Sequence, residues 1–351
     1  MSILDGKTIL VTGGTGSFGK MFIKTILAET TAQKVIVFSR DELKQFEMAQ
    51  LYPNEPRIRF FIGDVRDQER LHRAFHGVDL VVHAAAMKQI GAAEYNPFEA
   101  VRTNIIGAQN IINAAINQGV KKVVALSTDK ASSPINLYGA TKLVSDKLFT
   151  QGNVYAGKQD TRFSVVRYGN VVGSRGSVIP LFKKLALTGT LPITDEKMTR
   201  FWITLSEAVR FVLDNFEVMV GGEIFVPKIP SMRILDLAKA IAPDVEIKIV
   251  GIRPGEKLHE EMISIHDARR TLDVGTNYVI MPDMNWQHQE KLNGAVMPSD
   301  FCYSSDNNPD WIDVDRLKEM IDHGEDHAWK SNLRSRIAGK NRMASTAPVK
   351  T

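Results

Sequence analysis

Tyr138 and Lys142 stand four residues apart in the run Leu137-Tyr138-Gly139-Ala140-Thr141-Lys142. On a helix that spacing sets both side chains on one face. A free phenol ionises at about 10, and bringing it to about 7 needs roughly 4 kcal/mol of differential stabilisation. Neighbouring positive charge supplies that kind of stabilisation. An ionised phenol can then accept a proton from a hydroxyl while hydride leaves the same carbon. A tyrosine and a lysine at this spacing also arise by chance, so their surroundings decide what they mean. Just upstream lies Thr128-Asp129-Lys130, a hydroxyl, a carboxyl and an amine in succession. Taken alone, an Asp-Lys pair after a strand is an ordinary surface turn. Beside a redox tyrosine it offers a general acid and a general base.

A second run explains where the hydride would go. Thr12-Gly13-Gly14-Thr15-Gly16-Ser17-Phe18-Gly19 follows the apolar stretch Thr8–Thr12 and precedes a helical stretch expected over Lys20–Glu29. Glycines there let the backbone turn tightly against a pyrophosphate, and the helix aims its positive end at the anion. Gly13, Thr15, Gly16, Ser17, Phe18 and Gly19 are therefore candidate dinucleotide contacts. The cation of a nicotinamide ring would add to the charge near Tyr138. Farther along, Phe38-Ser39-Arg40 ends the next apolar run. An acid at that place would hold ribose hydroxyls, whereas Ser39 and Arg40, with Lys44 one turn on, suit a 2′-phosphate. NADP is the cofactor expected, and Asp41 is the residue that argues for a bare ribose. Asp64-Val65 ends a third run and is placed for adenine.

These groups need a scaffold that brings strand ends together. Strands are expected over Thr8–Thr12, Val35–Phe38, Ile58–Ile62, Leu80–His83, Val123–Ser127 and Phe163–Arg167, with helices over Glu99–Gln118 and Asn136–Phe149. Gly119 is a natural helix stop. Apolar strands alternating with helices imply a doubly wound, parallel α/β sheet of the Rossmann type. Residues 1–170 form the expected NADP-binding domain, with a segment near 200–220 returning to it. Residues 171–325, rich in turn residues, form mainly a smaller mixed α/β substrate domain. Residues 326–351 are expected to be a basic, disordered tail.

Composition removes other classes. The 351 residues carry a net charge of +4, 44% hydrophobic and 24% charged side chains. Residues 327–351 hold six basic side chains and no acid, so the remainder has 38 basic against 40 acidic residues. A near-neutral body does not suit nucleic acid. One cysteine, Cys302, allows no intrachain disulfide and fits a reducing compartment. The histidines form no zinc pattern, so no metal is expected. No apolar run approaches a membrane span and no signal peptide is evident, so a cytoplasmic protein is expected.

The motifs together resemble the extended short-chain dehydrogenase/reductases. More specifically, the chain resembles the inverting UDP-N-acetylglucosamine 4,6-dehydratases that open pseudaminic acid biosynthesis. The resemblance runs from about Lys7 to about His323. It is carried by TGGTGSFG (12–19), FSRDELKQFEM (38–48), GDVRD (63–67), HAAAMKQ (83–89), AEYNPFEAVRTNIIGAQN (93–110), STDKASSPINLYGATKLVSDK (127–147), RYGNVVGSRGSVIP (167–180), MTRFWIT (198–204), RPGEKLHEEMI (253–263) and YSSDNNPDW (303–311).

Asp-Lys after Thr128 is the pair of the inverting family; retaining relatives carry Asp-Glu there. The resemblance implies oxidation at C4, removal of the C5 proton by Lys130, protonation of the departing C6 hydroxyl by Asp129, and hydride return to C6. Lys130 would need a lowered pKa to act as an amine. Thr128, Tyr138 and Lys142 complete the implied catalytic set. Ala84, Ala85, Ala86, Lys88 and Asn104 are implied beside the cofactor, with Lys88 also able to reach substrate. Asn170, Arg175, Val178, Arg200, Arg253 and Glu256 are implied for the UDP-sugar. Gly91 replaces an expected proline, which would leave the loop beside the site freer. A homo-oligomer, a dimer or hexamer, is expected by analogy. Two other readings stay open: a UDP-sugar 4- or 5-epimerase, and an NADP-sensing binding protein without chemistry.

Overall fold

β-branched and aromatic runs buried on both faces build the centre of the molecule. The computed structural model describes residues 2–173, 178–283 and 292–322. Its first strands are β1 (Thr8–Thr12), β2 (Lys34–Ser39), β3 (Ile58–Ile62), β4 (Leu80–His83), β5 (Lys122–Thr128) and β6 (Arg162–Tyr168). They pair in parallel in the order β3-β2-β1-β4-β5-β6. Every residue of β1 is buried, as a strand covered by helices on both faces must be. The order reverses between β1 and β4, so their C-terminal ends open a crevice where ligands bind in such sheets.

The crossovers are α1 (Ser17–Glu29), α2 (Glu42–Gln50), α3 (Gln68–Ala74), α4 (Ile90–Tyr95), α5 (Pro97–Val101), α6 (Gly107–Gln118) and α7 (Leu137–Ala156). Side chains stop the first free amides: Asp41 caps α2, Asp67 caps α3 and Asn136 caps α7. Gly119, at φ 70°, ends α6 in the left-handed turn that glycine adopts without strain.

Three expectations change. Helix α1 begins at Ser17 rather than Lys20, because Gly16 is its N-cap and the end of the glycine loop is already helical. The helix expected over Glu99–Gln118 is interrupted by a π-helical turn, Arg102–Ile106, which lets Asn104 reach the loop after β4. Gly91 lies inside α4 rather than in a loose loop.

The sheet continues beyond β6 with Ile224–Pro227 in parallel, then Asn277–Ile280, Thr271–Asp273 and Ala295–Val296 antiparallel, making ten strands. Part of the 171–325 segment therefore extends the large sheet. The helix Leu205–Val218, started by a Thr204–Glu207 capping box, packs against α1. A second apolar core gathers Phe182, Leu191, Ile193, Trp202, Leu237 and Leu317. It is enclosed by helices Val178–Ala186, Ile234–Ile241 and Val314–Asp322 and by short strands including Asn170–Val171 and Thr199–Ile203. Among the described residues no helix is long and apolar enough to cross a membrane.

One buried ion pair ties these parts behind the strand ends. Asp146 of α7 accepts from Ser127 Oγ at 2.7 Å and from Arg167 Nη2 at 3.2 Å. Arg167 also donates to the Met262 carbonyl at 2.9 Å. Removing one partner leaves an uncompensated buried charge, which typically costs about 3–5 kcal/mol. Asp146→Ala should accordingly lower the unfolding free energy by about that amount in urea titrations. A change within ~0.5 kcal/mol, the range of a neutral surface substitution, would contradict this account.

Candidate active site

The crevice at the strand ends is a cleft of about 1200 Å³ that runs from the glycine loop to the second core. At one end lie Gly13, Thr15, Gly16, Ser17, Phe18 and Gly19. Gly13 has φ 65°, and a Cβ there would stand 2.9 Å from the Ala85 nitrogen. Only glycine fits, and the loop lies flat against the Ala84-Ala85-Ala86 strand end, which also lines the cleft. Thr12 Oγ1 binds His83 Nδ1 at 2.8 Å and accepts from the Ala84 amide at 3.1 Å, fixing β1 to β4. Burial, with Lys142 adding, pushes the His83 imidazole down to about 3, so this clamp is uncharged.

Ser39, Arg40 and Lys44 border the same end, with Asp64 and Val65. Asp41 borders it too; its carboxylate caps α2 through the Lys44 amide at 3.0 Å and pairs with the Lys44 ammonium. Arg40 lies 3.8 Å from Asp64 and remains largely exposed. The buried Gln45 donates to Ser39 Oγ at 3.0 Å and to the carbonyls of Ser39 and Phe61, both at 3.1 Å, which holds β2 and β3 together at their ends.

Strand β5 delivers the reactive cluster. Thr128 caps a short turn over Asp129–Ala131 and donates to Asp129 Oδ1 at 2.9 Å. The Lys130 ammonium stands 3.1 Å from Asp129 Oδ1 and 3.0 Å from Glu260 Oε1. Asp129 is fully buried, and its Oδ2 finds no hydrogen-bond partner among the described residues. Helix α7 brings Tyr138 and Lys142 to the same cleft. A Cβ on Gly139 would fall 2.2 Å from the Lys130 carbonyl oxygen, so that glycine lets the helix touch the turn. Lys142 donates to the Leu126 carbonyl at 2.7 Å.

Electrostatics in the protein alone oppose two of the expected shifts. Burial would lower the Lys130 ammonium, but the carboxylates of Asp129 and Glu260 outweigh it and hold its pKa above the ordinary lysine value. Lys130 is thus a protonated amine at rest, not the depressed one expected. Tyr138 is pushed up to about 12, first by burial and against the charge of Lys130, where a downward shift was expected. Burial lowers the Lys142 ammonium, against Asp146.

This arrangement of glycine loop, buried Asp-Lys turn and Tyr-Lys helix has counterparts. A family model described as polysaccharide biosynthesis protein matches residues 9–282. The chain belongs to that family. It is an extended short-chain dehydrogenase/reductase family, as the motifs led one to expect. The chain is 56% identical over 333 residues to "UDP-N-acetylglucosamine 4,6-dehydratase (inverting)" of Campylobacter jejuni subsp. jejuni serotype O:23/36 (strain 81-176), covering 92% of this chain and 99% of that one. Among solved structures, Pen from Bacillus thuringiensis superposes with a TM-score of 0.84 at 37% identity, covering 91% of this chain and 98% of that one. DesIV, a dTDP-glucose 4,6-dehydratase from Streptomyces venezuelae with NAD and TYD bound, gives a TM-score of 0.63 at 27% identity over 72% of this chain and 86% of that one.

Lys88, Asn170, Val178, Arg253 and Glu256 all border the cleft. Arg175 lies outside the described residues. Two residues of the expected set are engaged by the protein's own backbone. Asn104, 2% exposed, exchanges hydrogen bonds with the Met87 backbone at 2.8 and 2.9 Å and donates to Thr141 at 2.9 Å. It braces the loop after β4 against α7 and is absent from the cleft lining. Arg200 borders the cleft, but its guanidinium donates to the carbonyls of Thr199, Lys257 and Leu258 at 2.7, 3.0 and 3.1 Å and lies 3.8 Å from Glu260. It anchors the RPGEK segment rather than presenting itself to a phosphate.

Glu260 and Trp202 went unread, because neither pattern nor spacing linked them to the cluster. Trp202 Nε1 and Asn170 Oδ1 are buried without hydrogen-bond partners among the described residues, and both residues line the cleft.

The tyrosine shift has a direct check. The unfolded phenol ionises at about 10 and the folded one only near 12, so its stabilising effect is whole below about pH 10 and fades through the folded value. Alkaline absorbance titration of the cofactor-free protein should reveal, by difference from Tyr138→Phe, one phenol ionising about two units late. Ionisation of that phenol at about 10 would refute the assignment.

Proposed function

We propose that the chain is a UDP-N-acetylglucosamine 4,6-dehydratase that inverts C5, giving UDP-2-acetamido-2,6-dideoxy-β-L-arabino-hex-4-ulose and water. The observation that carries this reading is the buried Asp129-Lys130 pair facing the same cleft as Tyr138. A 4-epimerase needs only the tyrosine and its hydroxyl neighbour, whereas elimination across C5 and C6 needs a base and an acid. The 56% identity to an inverting dehydratase over 92% of the chain points the same way.

The residues present fit a nicotinamide dinucleotide: a Cβ-free cradle at Gly13, a helix start at Gly16-Ser17, and a small-residue wall at Ala84–Ala86. Bound there, such a cofactor would supply a hydride acceptor for C4 and a hydride donor for C6, and its oxidised ring would add to the positive charge that Lys130 already brings to Tyr138. Tyr138 accepts the O4 proton, hydrogen-bonded through Thr128. Lys142 orients the tyrosine and the ribose. Once the Lys130 ammonium has passed one proton to the Asp129 carboxylate across their 3.1 Å contact, Lys130 takes the C5 proton, acidified by the C4 ketone, and Asp129 protonates the departing C6 oxygen. Inversion follows when C5 regains a proton on the opposite face.

The cofactor is NADP in this reading, because Asp41 is spent on its helix cap while Ser39, Arg40 and Lys44 face the cleft. Asn170 Oδ1 and Glu256 Oε2, without hydrogen-bond partners among the described residues, are open to donors from the sugar nucleotide, and Arg253 supplies charge for its diphosphate. Exposed Tyr95, Phe98 and Tyr155 along α4, α5 and α7 favour association with a second copy. The free thiol of Cys302 fits the cytoplasm.

Proton NMR of the protein with UDP-N-acetylglucosamine in D2O tests the reaction. A new C6 methyl signal with deuterium at C5 and L-arabino couplings is expected. Exchange at C4 without a methyl would select the epimerase instead. Tyr138→Phe should lose about 10²–10⁴-fold in turnover; a binding protein would lose nothing in ligand affinity and have no turnover to lose. Arg40→Ala should weaken NADP by about tenfold or more while sparing NAD, read by calorimetry. Equal losses for both cofactors would overturn the choice of NADP.

A further inference from the structure

The strands Asn170–Val171, Thr199–Ile203 and Ser231–Arg233 form a small sheet beside the cleft. Successive side chains of a strand point to opposite faces. Phe201 and Ile203 join the large core, so Arg200 and Trp202 face the other way, together with their register partners Met232 and Asn170. All four line the cleft. Arg200 spends its guanidinium on three backbone carbonyls, and Met232 has no strong hydrogen-bonding group. The other two are unspent. Trp202 is 3% exposed, and its Nε1 is a buried donor without a partner among the described residues. Asn170 Oδ1 is a buried acceptor in the same condition. A buried polar atom left unpaired costs about 1–3 kcal/mol. Two of them, opposite in sense and on register-paired residues of a cleft wall, match a ligand group that brings one C=O and one N–H together.

A UDP-N-acetylhexosamine carries such a group twice, in the acetamido substituent at C2 and in the uracil ring. Two observations favour the first. Asn170 stands two residues beyond Tyr168, whose register partner is Thr128. The hexose must lie at that turn if Tyr138 and Lys130 are to reach C4 and C5. Trp202 also shares the second apolar core with Phe182, and Val178 packs against that core; both Phe182 and Val178 line the cleft. An acetamido group ends in a methyl that needs apolar neighbours, whereas uracil presents a second carbonyl that would need another donor. We propose that Trp202 and Asn170 read the acetamido group of the substrate. The indole N–H of Trp202 donates to its carbonyl, Asn170 Oδ1 accepts from its N–H, and its methyl lies against Val178 and Phe182. The inference rests on the UDP-N-acetylglucosamine reading above and names the residues that select that sugar. A hexose with a hydroxyl at C2 leaves both protein atoms unpaired, which is how a hydrogen-bonding site rejects an analogue that lacks the group.

The test reads binding by calorimetry in the full-length holoenzyme, with Tyr138→Phe as background so that bound sugar is not turned over. Three ligands are compared: UDP-N-acetylglucosamine, UDP-glucose and UDP. The background protein should hold UDP-N-acetylglucosamine at least about tenfold more tightly than UDP-glucose. Trp202→Phe keeps an aromatic ring and removes the donor. Asn170→Leu keeps about the same size and removes the acceptor. Each should weaken UDP-N-acetylglucosamine by about tenfold or more and leave UDP-glucose and UDP within about threefold. If Trp202→Phe fails to fold, Asn170→Leu carries the same comparison.

Equal losses for all three ligands would mean that the pair reads the nucleotide, and the inference falls. Equal losses for the two sugar nucleotides with UDP unchanged would assign the pair to a hydroxyl that both hexoses share, and it falls again. No loss for any ligand would mean that the two side chains satisfy each other across the register, which also overturns it. The dehydratase reading fails separately. A protein that binds as expected here but forms no C6 methyl in the NMR experiment keeps the acetamido pair and loses the elimination. A background protein that does not bind UDP-N-acetylglucosamine at all loses the substrate assignment and this inference with it.

Discussion

An ammonium held between two buried carboxylates is the constraint around which the cleft is built. Asp129, Lys130 and Glu260 come from two stretches 130 residues apart in sequence, yet their charged atoms meet within 3.1 Å. Leaving any one of them unpaired in a buried site typically costs about 3–5 kcal/mol, so the chain around them has to be rigid. The rigidity is visible. Gly139 admits the N-terminal turn of α7 against the Lys130 carbonyl. Asn136 caps that helix and, with its amide nitrogen, donates to the Gly255 carbonyl at 2.8 Å. Lys257 donates to the Ser132 carbonyl at 2.6 Å, and Arg200 grips the carbonyls of Lys257 and Leu258. The segment that carries Arg253 and Glu256 into the cleft lining is thereby tied to the turn that carries Lys130.

That double duty explains which parts of the site sequence reasoning could read. Local rules suffice for the glycine loop, because Gly13 must take a left-handed φ between a strand and a helix that the apolar pattern already reveals. They suffice for Tyr138 and Lys142, because four-residue spacing on a helix needs no tertiary knowledge. The central strand cores were legible for the same reason: short continuous apolar runs such as Ile9–Val11 and Val35–Phe38 fit strands buried on both faces.

Tertiary choices were not legible. Nothing in MTRFWIT distinguishes an arginine that meets phosphate from one that bonds three carbonyls. Asn104 depends on a π-helical turn that the apolar spacing of Glu99–Gln118 conceals. Glu260 is one of two adjacent glutamates. Only the short strand Glu261–Ile263 and its pairing decide that Glu260 faces Lys130, while Glu261 meets Ser132 and Ser133. The protonation state of Lys130 was misjudged for the same reason: burial was inferable after β5, but the second carboxylate was not. The sign of a pKa shift follows the sum of partners, and one of them was invisible in the local sequence.

The two halves of the chemistry are also separated by the fold. In the proposed reaction, hydride transfer falls at the strand-end crevice of β1 and β4, where an uncharged Thr12–His83 clamp fixes the wall. Proton transfer, in the same reading, falls at the turn after β5, where Asp129, Lys130 and Glu260 bring buried charge together. Tyr138 stands between them and feels both: burial raises its phenol, Lys130 opposes that rise, and Asp129 adds to it. In the proposed reaction, a phenol raised this far by burial relies on positive charge from the cofactor side. Its activation is therefore tied to an oxidised cofactor, which is the state that oxidation at C4 requires. The same dependence keeps the Asp129-Lys130 pair idle, because the C5 proton is acidic only after C4 has become a ketone. In the proposed reaction, order then follows from electrostatics at one tyrosine.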